Sequence, residues 1–86
     1  MLHITSAQHV SAYKLWVSFD DGSSGEVDLA HCLKGPIFEP LKDVQFFSKV
    51  VIDPELETVA WPNGADLAPE FIKDLHNKQL ESDSSG

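Results

Sequence analysis

The stretch from Tyr13 to Leu29 limits the fold of this chain more than any other. Tyr13, Leu15, Val17 and Phe19 alternate with Lys14, Trp16 and Ser18, the period-two pattern of a strand with one face buried. Asp20-Asp21-Gly22-Ser23-Ser24 follows, a run of turn formers, and alternation resumes with Val27 and Leu29 as the apolar positions. Two alternating runs joined by a short glycine-containing loop predict a β-hairpin. A hairpin is not stable alone in water, so the rest of the chain must supply a cover.

His3 to Val10 alternates more weakly and suits a solvated edge strand. Ala30 to Lys34 predicts one helical turn, stopped by Gly35-Pro36. Asp43 is placed to cap a short helix over Val44–Phe47. Lys49 to Asp53 contains three consecutive β-branched residues and predicts a well-covered strand, and Leu56 to Trp61 a last strand ended by Pro62. A terminal helix is expected to begin between Asp66 and Pro69, with Asp66 as its cap and Leu67, Phe71, Leu75 and Ile72 supplying the apolar face. The expected fold is α+β: a small, mostly antiparallel sheet of about five strands, short middle helices and a C-terminal helix on one face. Residues 1–78 form the single expected domain and 79–86, which end in Glu81-Ser82-Asp83-Ser84-Ser85-Gly86, a disordered tail.

Charge excludes several function classes. Fourteen acidic residues face six basic ones, all of them lysine, for a net charge of -8. Nonspecific nucleic-acid affinity comes mostly from neutralising phosphates, and a field of this sign opposes it. Anionic lipid surfaces are opposed likewise. A basic protein partner is favoured and steered. The start, Met1-Leu2-His3-Ile4-Thr5, lacks the basic and apolar regions of a signal peptide, and a single cysteine, Cys32, forms no internal disulfide. A cytoplasmic location is expected.

Candidate chemistry is sparse. His3, His9, His31 and His76 are scattered; His3 and His9 share a strand face but stand roughly 20 Å apart at strand rise. His31 and Cys32 are adjacent, so on a helix their side chains diverge by about 100° and one metal rarely takes both. Cys32 with a histidine is the one pair that resembles a nucleophile and its base, yet a cysteine between Leu29 and Leu33 is first a small core residue. Asp20-Asp21-Gly22 is first turn chemistry, without the later bidentate glutamate of a calcium loop. No catalytic residue, metal or cofactor is therefore expected.

Trp61-Pro62-Asn63-Gly64-Ala65-Asp66-Leu67-Ala68-Pro69-Glu70 resembles the closing signature of the bacterial domain-of-unknown-function family 2442. Phe19-Asp20-Asp21-Gly22 is similar to that family's first half, and Phe38-Glu39-Pro40-Leu41-Lys42-Asp43, with Phe47 and the strand to Asp53, to its middle. The resemblance implies a compact cytoplasmic α+β domain of bacteria or their phages. Some relatives carry a C-terminal helix-turn-helix; others are short proteins similar to antitoxins. Because the sequence ends soon after its terminal helix, a difference from the first kind is expected. The leading expectation is a non-enzymatic, antitoxin-like module that binds a small, basic protein, with no direct nucleic-acid or membrane contact and with self-association open. The alternative is an accessory domain of a transcriptional regulator without its helix-turn-helix. The first reading of the two tryptophans is burial, and of Asn63-Gly64 and Asp66 a turn and a helix cap. Beside it, Trp16, Trp61, Asn63 and Asp66 are the candidate protein-contact patch, the indoles as anchors and the two polar side chains beside the free amides of a helix start.

Overall fold

The computed structural model describes residues 1–85, with side chains through Leu80. Five strands divide into two antiparallel sheets, one of three strands and one of two. The first contains β1 (Ile4–Ser11), β2 (Lys14–Phe19) and β3 (Ser24–Asp28) in that spatial order. Leu15 pairs with Val27 and Val17 with Gly25, so the apolar set of the predicted hairpin lies on one face. Leu15, Val17 and Val27 have no exposed surface. Between β1 and β2 the chain turns through Ala12, which takes the left-handed conformation at φ +45°.

The middle segment closes over this face. A 3-10 turn at Ala30–Cys32 and another at Glu39–Lys42 lead into α1 (Val44–Phe47). Asp43 caps α1 as the sequence predicts, its carboxylate accepting from the Gln45 amide at 3.0 Å. That cap delivers Phe47 to the centre of the core. Its ring meets Tyr13 edge-on at 5.4 Å, His9 at 5.8 Å and Trp61 at 5.6 Å. Full burial of a side chain of this size contributes about 1.5–3 kcal/mol.

The second sheet pairs β4 (Val51–Asp53) with β5 (Thr58–Ala60). The expectation of a well-covered strand at Lys49–Asp53 is corrected here: Val51 is 54% exposed. Alternation along this three-residue strand sends its first residue, Val51, outward while Ile52 packs against the core. The hairpin is tied to β1 by the Ile4 amide, which donates to the Glu57 carbonyl at 2.9 Å.

The terminal helix α2 (Pro69–Ser85) packs against β3. Pro69 occupies the first helical position, where its missing donor costs nothing, and the Ile72 amide donates back to Ala68. Asp66 is therefore not the cap; it lies earlier and forms an isolated antiparallel bridge with Ala60. The buried stripe also differs from the expected one. Ile72 and His76 face inward, Leu75 is half-buried, and Phe71 is 45% exposed. Starting the helix at Pro69 sets its rotation, and of the positions four apart, Ile72 enters the core and His76 meets β3. The helix continues through Gln79 and Leu80, residues assigned to the tail by composition. The side chains of 81–85 and all of Gly86, the remainder of that expected tail, lie outside the described residues.

Candidate interaction surface

The three-stranded sheet buries only one face. On the other, the alternation that sends Leu15 and Val17 inward sends Trp16 outward, and its side chain is 45% exposed. Trp16 stands opposite Gln8 on β1 and Glu26 on β3. Lys14 and Glu26 frame the indole, with Lys14 Nζ 3.9 Å from Glu26 Oε1. An open groove of about 590 Å³ runs from this face toward α2, lined by Trp16, Lys14, Glu26, His31, Gln79 and Leu80 among others. Leu80 is 53% exposed, so two large apolar groups border the groove.

The far wall of the groove is built by α2. His76 Nδ1 donates to the Glu26 carbonyl at 2.8 Å. The Gln79 carboxamide accepts from the Asp28 amide and donates to the Asp28 carbonyl, both at 2.9 Å. These side chains take the place of a neighbouring strand and occupy the backbone groups that an edge strand presents to other chains. Sequence periodicity misses this because His and Gln read as polar positions of a solvated helix face.

The other expected contact residues serve the fold. Trp61 is 3% exposed, and its indole N–H donates to the Phe47 carbonyl at 2.8 Å. Asn63 Oδ1 accepts from the Ala65 amide at 3.1 Å, while Nδ2 donates to the Ile37 carbonyl at 2.8 Å. Asn63 thus pins the closing loop to the middle segment. The structure does not bring Trp16 and Trp61 together on one surface: one lies outside the sheet, the other in the core.

The hairpin loop Asp20–Ser24 is held by its own side chains. Asp21 Oδ1 accepts from the Ser23 amide at 2.9 Å and from the Ser23 hydroxyl at 2.6 Å, and Lys73 reaches its Oδ2 at 3.0 Å. Those bonds, the serine's first, hold the Asp21 carboxyl down at about 2. Cys32 is half-buried against the core; burial, and then the Asp28 carboxylate, push its thiol upward and away from a nucleophilic thiolate. Among the described residues, no group of three or more His, Cys, Asp or Glu side chains could hold a metal ion, and no helix is long and apolar enough to cross a membrane.

A second cluster escapes the linear reading entirely. His3, at the start of β1, lies between Asp20 of the hairpin loop and Glu57 of the β4–β5 turn, 3.0 and 2.9 Å from their carboxylates. The hollow beside it has a volume of about 310 Å³ and is also lined by Asp53. No spacing rule connects positions 3, 20 and 57; only pairing of the two sheets does.

Fold and surface together define a small α+β domain with one face of a three-stranded sheet left open and its β3 edge blocked by the terminal helix. The chain belongs to the DUF2442 family, proteins of unknown function, whose family model matches residues 4–75. Among solved structures it is similar to the Putative DNA Binding Protein of Nitrosomonas europaea, with a TM-score of 0.82 and 22% sequence identity over 94% of this chain and 52% of that one. The chain thus spans about half the length of that neighbour. No curated protein matches it.

Proposed function

We propose that this domain is a non-enzymatic, antitoxin-like docking module that receives a small basic protein on the open sheet face around Trp16. The observation that carries the reading is the exposed indole at the border of the groove, in a chain of net charge -8. An exposed tryptophan supplies a large apolar contact at little cost in conformational freedom, and such residues dominate binding energy at interfaces. The negative field raises the encounter rate with a basic partner and repels duplex DNA and anionic lipid. The half-buried, proton-retaining Cys32 supports the non-enzymatic reading, since it is the nearest approach to a nucleophile.

The test compares tagged wild-type protein with Trp16→Thr, which keeps a strand-forming residue, in the source bacterium. A small basic protein recovered in stoichiometric amount with the wild type and lost with the variant is the expected result. Recovery of no specific protein, or equal recovery with both, overturns the reading.

One observation favours a second reading, an accessory domain of a transcriptional regulator. The neighbour from Nitrosomonas europaea carries this fold in 52% of its chain and is called a putative DNA-binding protein. In that reading the open sheet face contacts a DNA-binding partner domain, and the acidic domain itself does not touch DNA. Retention of a helix-turn-helix protein through Trp16 would select it over the antitoxin-like reading.

A further inference from the structure

Both ring nitrogens of His3 face carboxylates. Nδ1 lies 3.0 Å from Asp20 Oδ2, and Nε2 lies 2.9 Å from Glu57 Oε2. An ionised carboxylate only accepts, and a neutral imidazole carries a single N–H. The Nδ1 contact is a hydrogen bond and the Nε2 contact an ion pair, and both are attractive together only while the ring holds two protons. With one proton, a nitrogen lone pair faces an anionic oxygen and one arm must give way.

We propose that His3 is a proton-operated latch between the two sheets, closed on Glu57 when the ring is doubly protonated and released from it when the ring is neutral. The backbone decides which arm lets go. Asp20 is tied to His3 twice more: the His3 amide donates to Asp20 Oδ1 at 3.0 Å, and the Asp20 amide donates to the His3 carbonyl at 2.9 Å. The remaining proton therefore stays on Nδ1, toward Asp20. Among the described residues nothing reinforces the Glu57 carboxylate in this way, and its backbone sits in the left-handed region at φ +54°, a conformation that a non-glycine residue holds only when its surroundings impose it. Its other tie to β1 is the bond from the Ile4 amide to its carbonyl.

The charged groups around the ring come from each packed element. Asp20 belongs to the hairpin loop, Glu57 to the β4–β5 turn and Asp53 to β4, and the α-amino group of Met1 lies close enough to act on Asp20. Asp53 is occupied locally, its Oδ1 accepting from the Glu55 and Leu56 amides. The His3 amide, ahead of other causes, holds the Asp20 carboxyl below the usual carboxylate range. Asp20 thus stays an anion, and the ring proton decides whether Nε2 meets Glu57 as a charged donor or as a lone pair.

Amide hydrogen exchange of the full chain, read residue by residue from about pH 5 to about pH 8, tests this. The Ile4 amide, corrected for its intrinsic chemistry, is expected to lose about two- to five-fold in protection relative to the Asp20 amide as pH rises, the size of a partly exposed ion pair. Glu57→Gln is expected to abolish that step, because a carboxamide can accept from a protonated Nε2 or donate to a bare one. A flat profile in the wild type, a step that persists in Glu57→Gln, or an equal loss of protection at every amide would each overturn the proposal.

Discussion

The imidazole of His76 rests on the bare backbone of Gly25: a Cβ built at Gly25 would lie 2.2 Å from His76 Cε1 and 2.5 Å from Nε2. Glycine is needed at this place for close approach of helix to strand. The ring cannot easily retreat, because it is buried and Nδ1 is bonded to the Glu26 carbonyl. Gly25→Ala is expected to destabilise the domain by about 1–3 kcal/mol, the usual cost of an overpacked contact. In the double variant Gly25→Ala, His76→Ala the alanine at 25 should add little further cost, and a double-mutant cycle by chemical denaturation measures that coupling. Additive losses would place the strain elsewhere.

Gln79 bonds both backbone groups of Asp28. Gln79→Glu keeps the length and the acceptor but removes the donor, and sets a carboxylate against the Asp28 carbonyl. A loss of about 1 kcal/mol is expected, near the net worth of one hydrogen bond. The variant also uncovers an edge carbonyl of β3, so sedimentation should show more self-association than in the wild type.

The two tryptophans should respond in opposite ways. Trp61→Phe leaves the buried Phe47 carbonyl without its donor and should cost about 1–3 kcal/mol. Trp16→Thr, on the solvated face, should stay within about 0.5 kcal/mol of wild type. Quenching by acrylamide separates them directly: Trp16 emission should be quenched readily and Trp61 emission shielded.

Acid should weaken the domain through its hairpin loop. The folded Asp21 carboxyl titrates at about 2, below the ordinary value of 3.8, and Asp20 is lowered as well. The folded state therefore holds these protons less tightly than the unfolded chain. Their contribution is fully present above about pH 4 and is lost as pH falls toward about 2. Denaturation midpoints measured down this range should decline, and Asp21→Asn should flatten part of the decline.

The residues that determine local structure were legible without a fold. Alternation through Tyr13–Leu29 specified the hairpin and its inward set, and Asp43 specified the start of α1. Each depends on neighbours along the chain, where backbone geometry and side-chain period act directly. The rotation of α2 and the fates of Phe71, Val51, Trp61 and Asn63 were settled by tertiary structure, because burial depends on what lies across the gap and propensity does not encode it. The same holds for three close arrangements, His76 on Gly25, Gln79 on Asp28, and His3 between Asp20 and Glu57. Their partners are separated by 17 to 54 positions, and only the docking of helix and sheets brings them within contact distance.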